Sequence, residues 1–171
     1  MNWYVLFIRS GQEEAISDFL NQSGLSSFIP KMKVVYRRQG RSELVEKIMF
    51  PGYLFLESDL NQQQMDQQIR KLRMRKSGLV KLLKVDKEGT PVLRDEEKKH
   101  LEQLLGKNRV MDHSVGLIQG GQVIVTEGPL KGFESRIVRI DRHKRRAWLQ
   151  LDLCGQTTTA CVSLEIVQKL D

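Results

Sequence analysis

The chain predicts an α+β protein. Its first part reads as a two-layer α/β sandwich with a mostly antiparallel sheet, followed by a flexible linker and a small, closed, five-stranded β-barrel. Three observations carry this. Residues 1–106 alternate apolar runs of strand length with amphipathic helical stretches. Residues 107–120 show no clear periodicity and are loosened by Gly116 and Gly120. Residues 121–171 hold only short alternating runs broken by turn residues, and closing such strands into a barrel removes their exposed edges.

The first element is Trp3 to Ile8, apolar on both faces as an inner strand requires, and Arg9-Ser10-Gly11 ends it. Gln12 to Asn21 predicts a helix, with Ala15, Ile16, Phe19 and Leu20 on one face and Glu13, Glu14 and Asp18 toward water. Gly24 is its expected terminator. Ser27 to Tyr36 and Glu43 to Met49 form a hairpin about a polar turn at Gln39-Gly40, with Arg37, Arg38 and Arg41 at its tip. Leu60 to Leu72 predicts a second helix, capped by Ser58 or Asp59, with Met65, Ile69 and Leu72 as its apolar stripe. Gly78 to Val85 reads as a strand, and Asp95-Glu96-Glu97 opens a third helix that buries Leu101, Leu104 and Leu105.

Between hairpin and second helix lies Phe50-Pro51-Gly52-Tyr53-Leu54-Phe55-Leu56, an apolar run that contains a Pro-Gly pair. Pro51 cannot donate to a ladder and belongs at a strand edge or bulge; Gly52 lets the backbone bend. A Phe and a Tyr flanking such a bend can leave an apolar notch of the kind that receives a partner's helix or loop. By spacing alone, Phe50 and Tyr53 would serve equally as core residues.

In the C-terminal part, Gln122 to Thr126 alternates and runs into the turn Glu127-Gly128-Pro129. Phe133 to Ile140, Ala147 to Leu153, Thr157 to Ser163 and Leu164 to Val167 supply the remaining strands, with turns at Asp141 to Arg146 and at Gly155-Gln156.

Charge points to surfaces rather than chemistry. Twenty-eight Lys and Arg against 21 Asp and Glu give a net +7, which suits an anionic partner such as nucleic acid. It gathers in two clusters. The first is Arg70, Lys71, Arg73, Arg75 and Lys76, interrupted by Leu72 and Met74. The second is Arg139 with Arg142, His143, Lys144, Arg145 and Arg146, just before Trp148. Both match an electrostatic footprint for RNA phosphates; a helix end or turn held in solvent would carry similar charge. Cys154 and Cys161 read as reduced, small core residues, and His100, His113 and His143 have no metal-ligand spacing with them. No phosphate-binding glycine loop and no nucleophile–base set stands out, so neither enzyme activity nor a cofactor is expected. The start lacks the basic region of a signal peptide, and no apolar run reaches membrane-span length, so a cytoplasmic protein without membrane contact is expected.

The run at 50–53, Trp3-Tyr4-Val5 at the start and the helix after it resemble the N-terminal domain of the NusG transcription elongation factors. Residues 121–171 resemble a KOW domain, an SH3-like barrel, through Gly121, Val123, Val125, Gly128, Pro129, Leu130, Phe133 and Ile137; Ser135 replaces the usual glycine. The resemblance implies a domain at 1–106 that grips the clamp helices of RNA polymerase through Phe50, Pro51, Gly52 and Tyr53, with Trp3 and Tyr4 supporting or lining the pocket. It implies a bacterial, monomeric antitermination factor. The basic clusters suggest a specialised paralog of the LoaP or RfaH kind that acts at selected operons, with a nascent RNA hairpin as partner. A general factor linking polymerase to Rho or a ribosomal protein, and a ribosome-associated KOW protein, are the alternatives.

Overall fold

The computed structural model describes residues 1–75 and 89–171, with Arg75 in its backbone only. The strand expected at Gly78 to Val85 lies outside the described residues. The chain divides into two compact units, each built from two segments: Met1–Pro30 with Phe50–Lys98, and Lys31–Met49 with Lys99–Asp171. This partition differs from the boundaries read in the sequence at 106 and 121, because the hairpin goes with the second unit.

In the first unit, β1 (Asn2–Phe7), β2 (Ser26–Phe28) and β5 (Tyr53–Ser58) make an antiparallel sheet in the order β1-β5-β2. The outer edge of β1 is covered by chain around Val92. Val5 donates to the Pro91 carbonyl at 2.9 Å, and Leu93 to that of Trp3 at 2.8 Å. The continuous apolar run of β1 is thereby explained: Trp3, Tyr4, Val5 and Leu6 are all buried. Helix α1 (Glu13–Gln22) buries Ile16, Phe19 and Leu20, but its inner face differs from the expected one. Ala15 is exposed, while Ser17 and Glu13 are buried. Helix α2 (Gln62–Arg75) begins later than expected, and its cap is Asn61. The Asn61 side chain accepts the Gln64 N–H and the Gln64 side chain accepts the Asn61 N–H, both at 2.9 Å, a reciprocal capping box. Met65, Ile69 and Leu72 are its buried stripe. Helix α3 (Asp95–Leu105), of which only Asp95–Lys98 belongs to this unit, opens with Glu97 accepting the Arg94 N–H at 2.8 Å.

In the second unit, β3 (Lys31–Arg38) and β4 (Arg41–Ile48) form the hairpin. Ile29-Pro30 separates β3 from β2, so the single strand expected over 27–36 is two. Strand β3 pairs in parallel with β6 (Val110–Met111), giving the order β4-β3-β6. The remaining strands are β7 (Ser114–Gln119), β8 (Gln122–Glu127), β9 (Ile137–Asp141), β10 (Arg146–Leu153) and β11 (Gln156–Leu170), in the order β8-β7-β11-β10-β9. Three of the five strands, β8, β9 and β10, fall where the sequence places them, β9 starting later than Phe133; the other two differ. Residues 107–120, expected as a linker, contain β6 and β7. The two strands expected at 157–163 and 164–167 are one long strand that pairs with β10 and then in parallel with β7. Two turns replace the β-sheet ladder with left-handed residues: Gln39 at φ 52° before Gly40, and Cys154 at φ 53° before Gly155. Cys154 is thus a half-buried turn residue rather than a core one, and Cys161, on β11, is half-buried too.

Candidate functional site

Phe50-Pro51-Gly52-Tyr53 is a tight turn into β5, with the Tyr53 N–H donating to the Phe50 carbonyl at 3.1 Å. Pro51 supplies the fixed φ of its second position and Gly52, at φ 85°, the left-handed third, which together define a type II turn. Two long-range bonds fix the turn on the sheet. Ile8 donates to the Gly52 carbonyl at 2.8 Å, and the Gly52 N–H is accepted by the Glu13 carboxylate at 2.9 Å. The other Glu13 oxygen accepts the Gly11 N–H at 2.8 Å. Sequence reading missed this role; its one trace is an acid in the first turn of α1 opposite a glycine-rich bend.

The turn sorts its residues. Phe50 is 2% exposed and packs against Phe55, ring centroids 5.9 Å apart. Phe55 continues to Phe28, and Phe28 to Trp3 at 4.9 Å, an aromatic row through the unit. Trp3 and Tyr4 are buried too, and the Tyr4 hydroxyl donates to the Leu60 carbonyl at 2.6 Å. Burial pushes the Tyr4 phenol above its ordinary value of 10.0; the Asp66 charge adds to this and a hydrogen bond with Asn2 opposes it. Phe50, Trp3 and Tyr4 are therefore floor and support. What reaches the surface is Pro51, exposed, and Tyr53, half-buried, with half-buried Phe7 beside it. Phe7 and Tyr53 are cross-strand partners with rings 5.2 Å apart at 64°. Phe7 was not singled out in the sequence because period-2 alternation does not say which strand lies opposite.

The first basic cluster sits on the last turns of α2. Arg70, Lys71 and Arg73 are exposed, Leu72 is buried, and Met74 is 89% exposed. The Arg75 side chain and Lys76 lie outside the described residues.

The second cluster splits. Asp141 accepts the Lys144 N–H at 3.0 Å and shapes the turn. Arg142, His143 and Lys144 are exposed at its tip, and Arg146 is half-buried on β10. Arg145, at φ 53°, folds back so that its Nε lies 3.4 Å from Glu165. The same carboxylate lies 3.5 Å from His113 Nε2, whose Nδ1 shares a hydrogen bond of 2.6 Å with Ser163 Oγ. Ser163 is 2% exposed, so this Ser–His–Glu row knits β11 to the start of β7 and has no open nucleophile. Arg139 lies over the Trp148 ring, 4.5 Å from its centroid.

A family model described as transcription termination factor NusG matches residues 1–102. The chain is 28% identical to the transcription termination/antitermination protein NusG of Thermus thermophilus over 170 residues, 92% of each chain. It is 24% identical to that of Borreliella burgdorferi, over 98% of each. A solved structure titled for domain interaction in Thermotoga maritima NusG aligns with 95% of this chain and 93% of its own, at 19% identity and a TM-score of 0.48. The family model alone spans more than half of the 171 residues, and the chain belongs to the NusG family.

Proposed function

We propose that the chain is a transcription elongation factor that docks on the clamp helices of RNA polymerase through Tyr53, Pro51 and Phe7, and thereby suppresses pausing or termination. Family membership supports the polymerase as partner. The observation that carries the site is Tyr53, half-exposed on a turn pinned by Glu13 and backed by buried Phe50. A rigid aromatic edge on an apolar floor loses little entropy on docking. Binding that favours the closed clamp over the open, paused one shifts their populations without any chemistry on this chain.

The exposed members of the basic clusters, Arg70, Lys71, Arg73, Arg139, Arg142, His143 and Lys144, contact nascent RNA in this reading. They also suit action at selected operons. The resemblance to NusG proteins named for termination and antitermination in general favours a second reading, a general factor working with Rho or a ribosomal protein. Genome-wide occupancy separates these: peaks at a few operons, or signal over nearly all transcribed genes.

The docking site is tested by capture of purified RNA polymerase. Tyr53→Asp places a charge in the apolar contact and abolishes capture, while Tyr53→Phe keeps it. A thermal melt of each variant confirms that the fold survives. Full capture by a folded Tyr53→Asp chain would remove the assignment.

A further inference from the structure

Strand β10 alternates strictly: Ala147, Leu149, Leu151 and Leu153 are buried, while Arg146, Trp148, Gln150 and Asp152 take the outer face. Burial does not require the largest side chain in the set to lie outside. Trp148 nevertheless does, half-buried, paired across the sheet with Arg139 on β9 and Cys161 on β11. Arg139 is exposed and lies on the indole. The acids of this face are already engaged: Asp141 accepts the Lys144 N–H, and Asp152 lies 3.8 Å from Arg136. Beyond Arg146 the strand leads straight to the exposed cations of the 142–144 turn.

Resting on the RNA-binding reading above, we propose that this face is a stacking site for an unpaired base of a single-stranded nucleic acid. The base takes the place of Arg139 on the Trp148 ring. Arg139, Arg142 and Lys144 then take the flanking phosphates. The exchange is favourable because base–aromatic stacking outweighs an exposed cation–π contact, and the displaced guanidinium gains a phosphate. A duplex cannot use the site, since its bases are stacked on each other.

The test uses the full chain and its own fluorescence. Trp3 is 2% exposed, so quenching by added nucleic acid reports Trp148. Oligouridylate is expected to quench saturably, and a Trp148→Phe chain to lose that quench. Oligothymidylate as a parallel arm identifies the preferred sugar, and quenching by either supports the site. Duplex RNA and inorganic polyphosphate are expected to leave the emission nearly unchanged. By anisotropy, Trp148→Ala weakens oligouridylate binding about tenfold without altering its salt slope, whereas Arg142→Gln with Lys144→Gln flattens the slope. Equal quenching by polyphosphate, or undiminished affinity of Trp148→Ala, would overturn the stacking site. Failure of both oligonucleotides to bind would overturn the stacking site alone if duplex RNA still binds, and the RNA reading with it if duplex RNA does not; polymerase capture through Tyr53 would stand.

Discussion

The Glu13 carboxylate accepts the N–H of Gly52, 39 residues away, at 2.9 Å, and so ties the first turn of α1 to the bend that presents Tyr53. A buried acid with both oxygens used by backbone donors is a structural clamp. Glu13→Ala would strand two N–H groups, and charge-assisted bonds of this kind are worth about 1.5–3 kcal/mol each. We expect a loss of about 2–4 kcal/mol in denaturant unfolding of the first unit, with weaker polymerase capture. Glu13→Gln, which keeps one acceptor oxygen, should lie between wild type and Glu13→Ala. A neutral Glu13→Ala would show that the clamp is dispensable.

Phe50 and Tyr53, three residues apart, should behave oppositely. Phe50→Ala opens a cavity under the turn and should destabilise by about 3–5 kcal/mol. Tyr53→Ala should alter the melting temperature far less, yet lose most polymerase capture. Similar stability losses for both would contradict their different exposure.

Gly116 lies where β7 passes β8, and a Cβ built there would sit 2.6 Å from the Ile124 carbonyl oxygen. That contact is with backbone and cannot relax by rotamer change, so Gly116→Ala should separate the strands and unfold the second unit at lower temperature. At Gly52 the Cβ would meet the Ile8 carbonyl oxygen at 3.2 Å, with φ 85°. Gly52→Ala should cost about 1–2 kcal/mol from the left-handed backbone alone. Amide exchange along β7 and β8 distinguishes the two: only Gly116→Ala should speed it.

Arg145 belongs to the basic run in sequence, but its side chain is turned to Glu165. Arg145→Gln should change RNA affinity and salt slope less than Lys144→Gln. Its stability effect should be about 1 kcal/mol or less, as for a partly exposed pair. A larger drop in affinity than that of Lys144→Gln would return Arg145 to the RNA surface.

Tyr4 gives a pH signature. Its pKa is raised in the folded state, first by burial, so the folded chain holds the phenolic proton more tightly than the unfolded one. The contribution is complete below the unfolded value near 10.0 and is lost as pH rises through the folded value. Stability should therefore fall more steeply above pH 10 in wild type than in Tyr4→Phe, which at neutral pH loses only about 1 kcal/mol with its hydrogen bond to Leu60. Parallel alkaline curves for the two chains would count against this.

The sequence by itself determined helices α1, α2 and α3, the α+β composition, the turn at Gln39-Gly40 and the 50–53 motif, because side-chain periodicity and backbone-restricted residues act locally. Its reading of β7 failed for a physical reason. The buried positions there are Ser114 and Gly116, kept small by a close strand crossing, and small residues carry no hydrophobic signal. Tertiary structure alone decided that the Lys31–Met49 hairpin pairs with β6, that Phe50 sinks while Tyr53 surfaces, that Glu13 turns inward and that Arg145 leaves its cluster. Each of these depends on a partner far along the chain, and alternation gives a strand its two faces without saying what either face will meet.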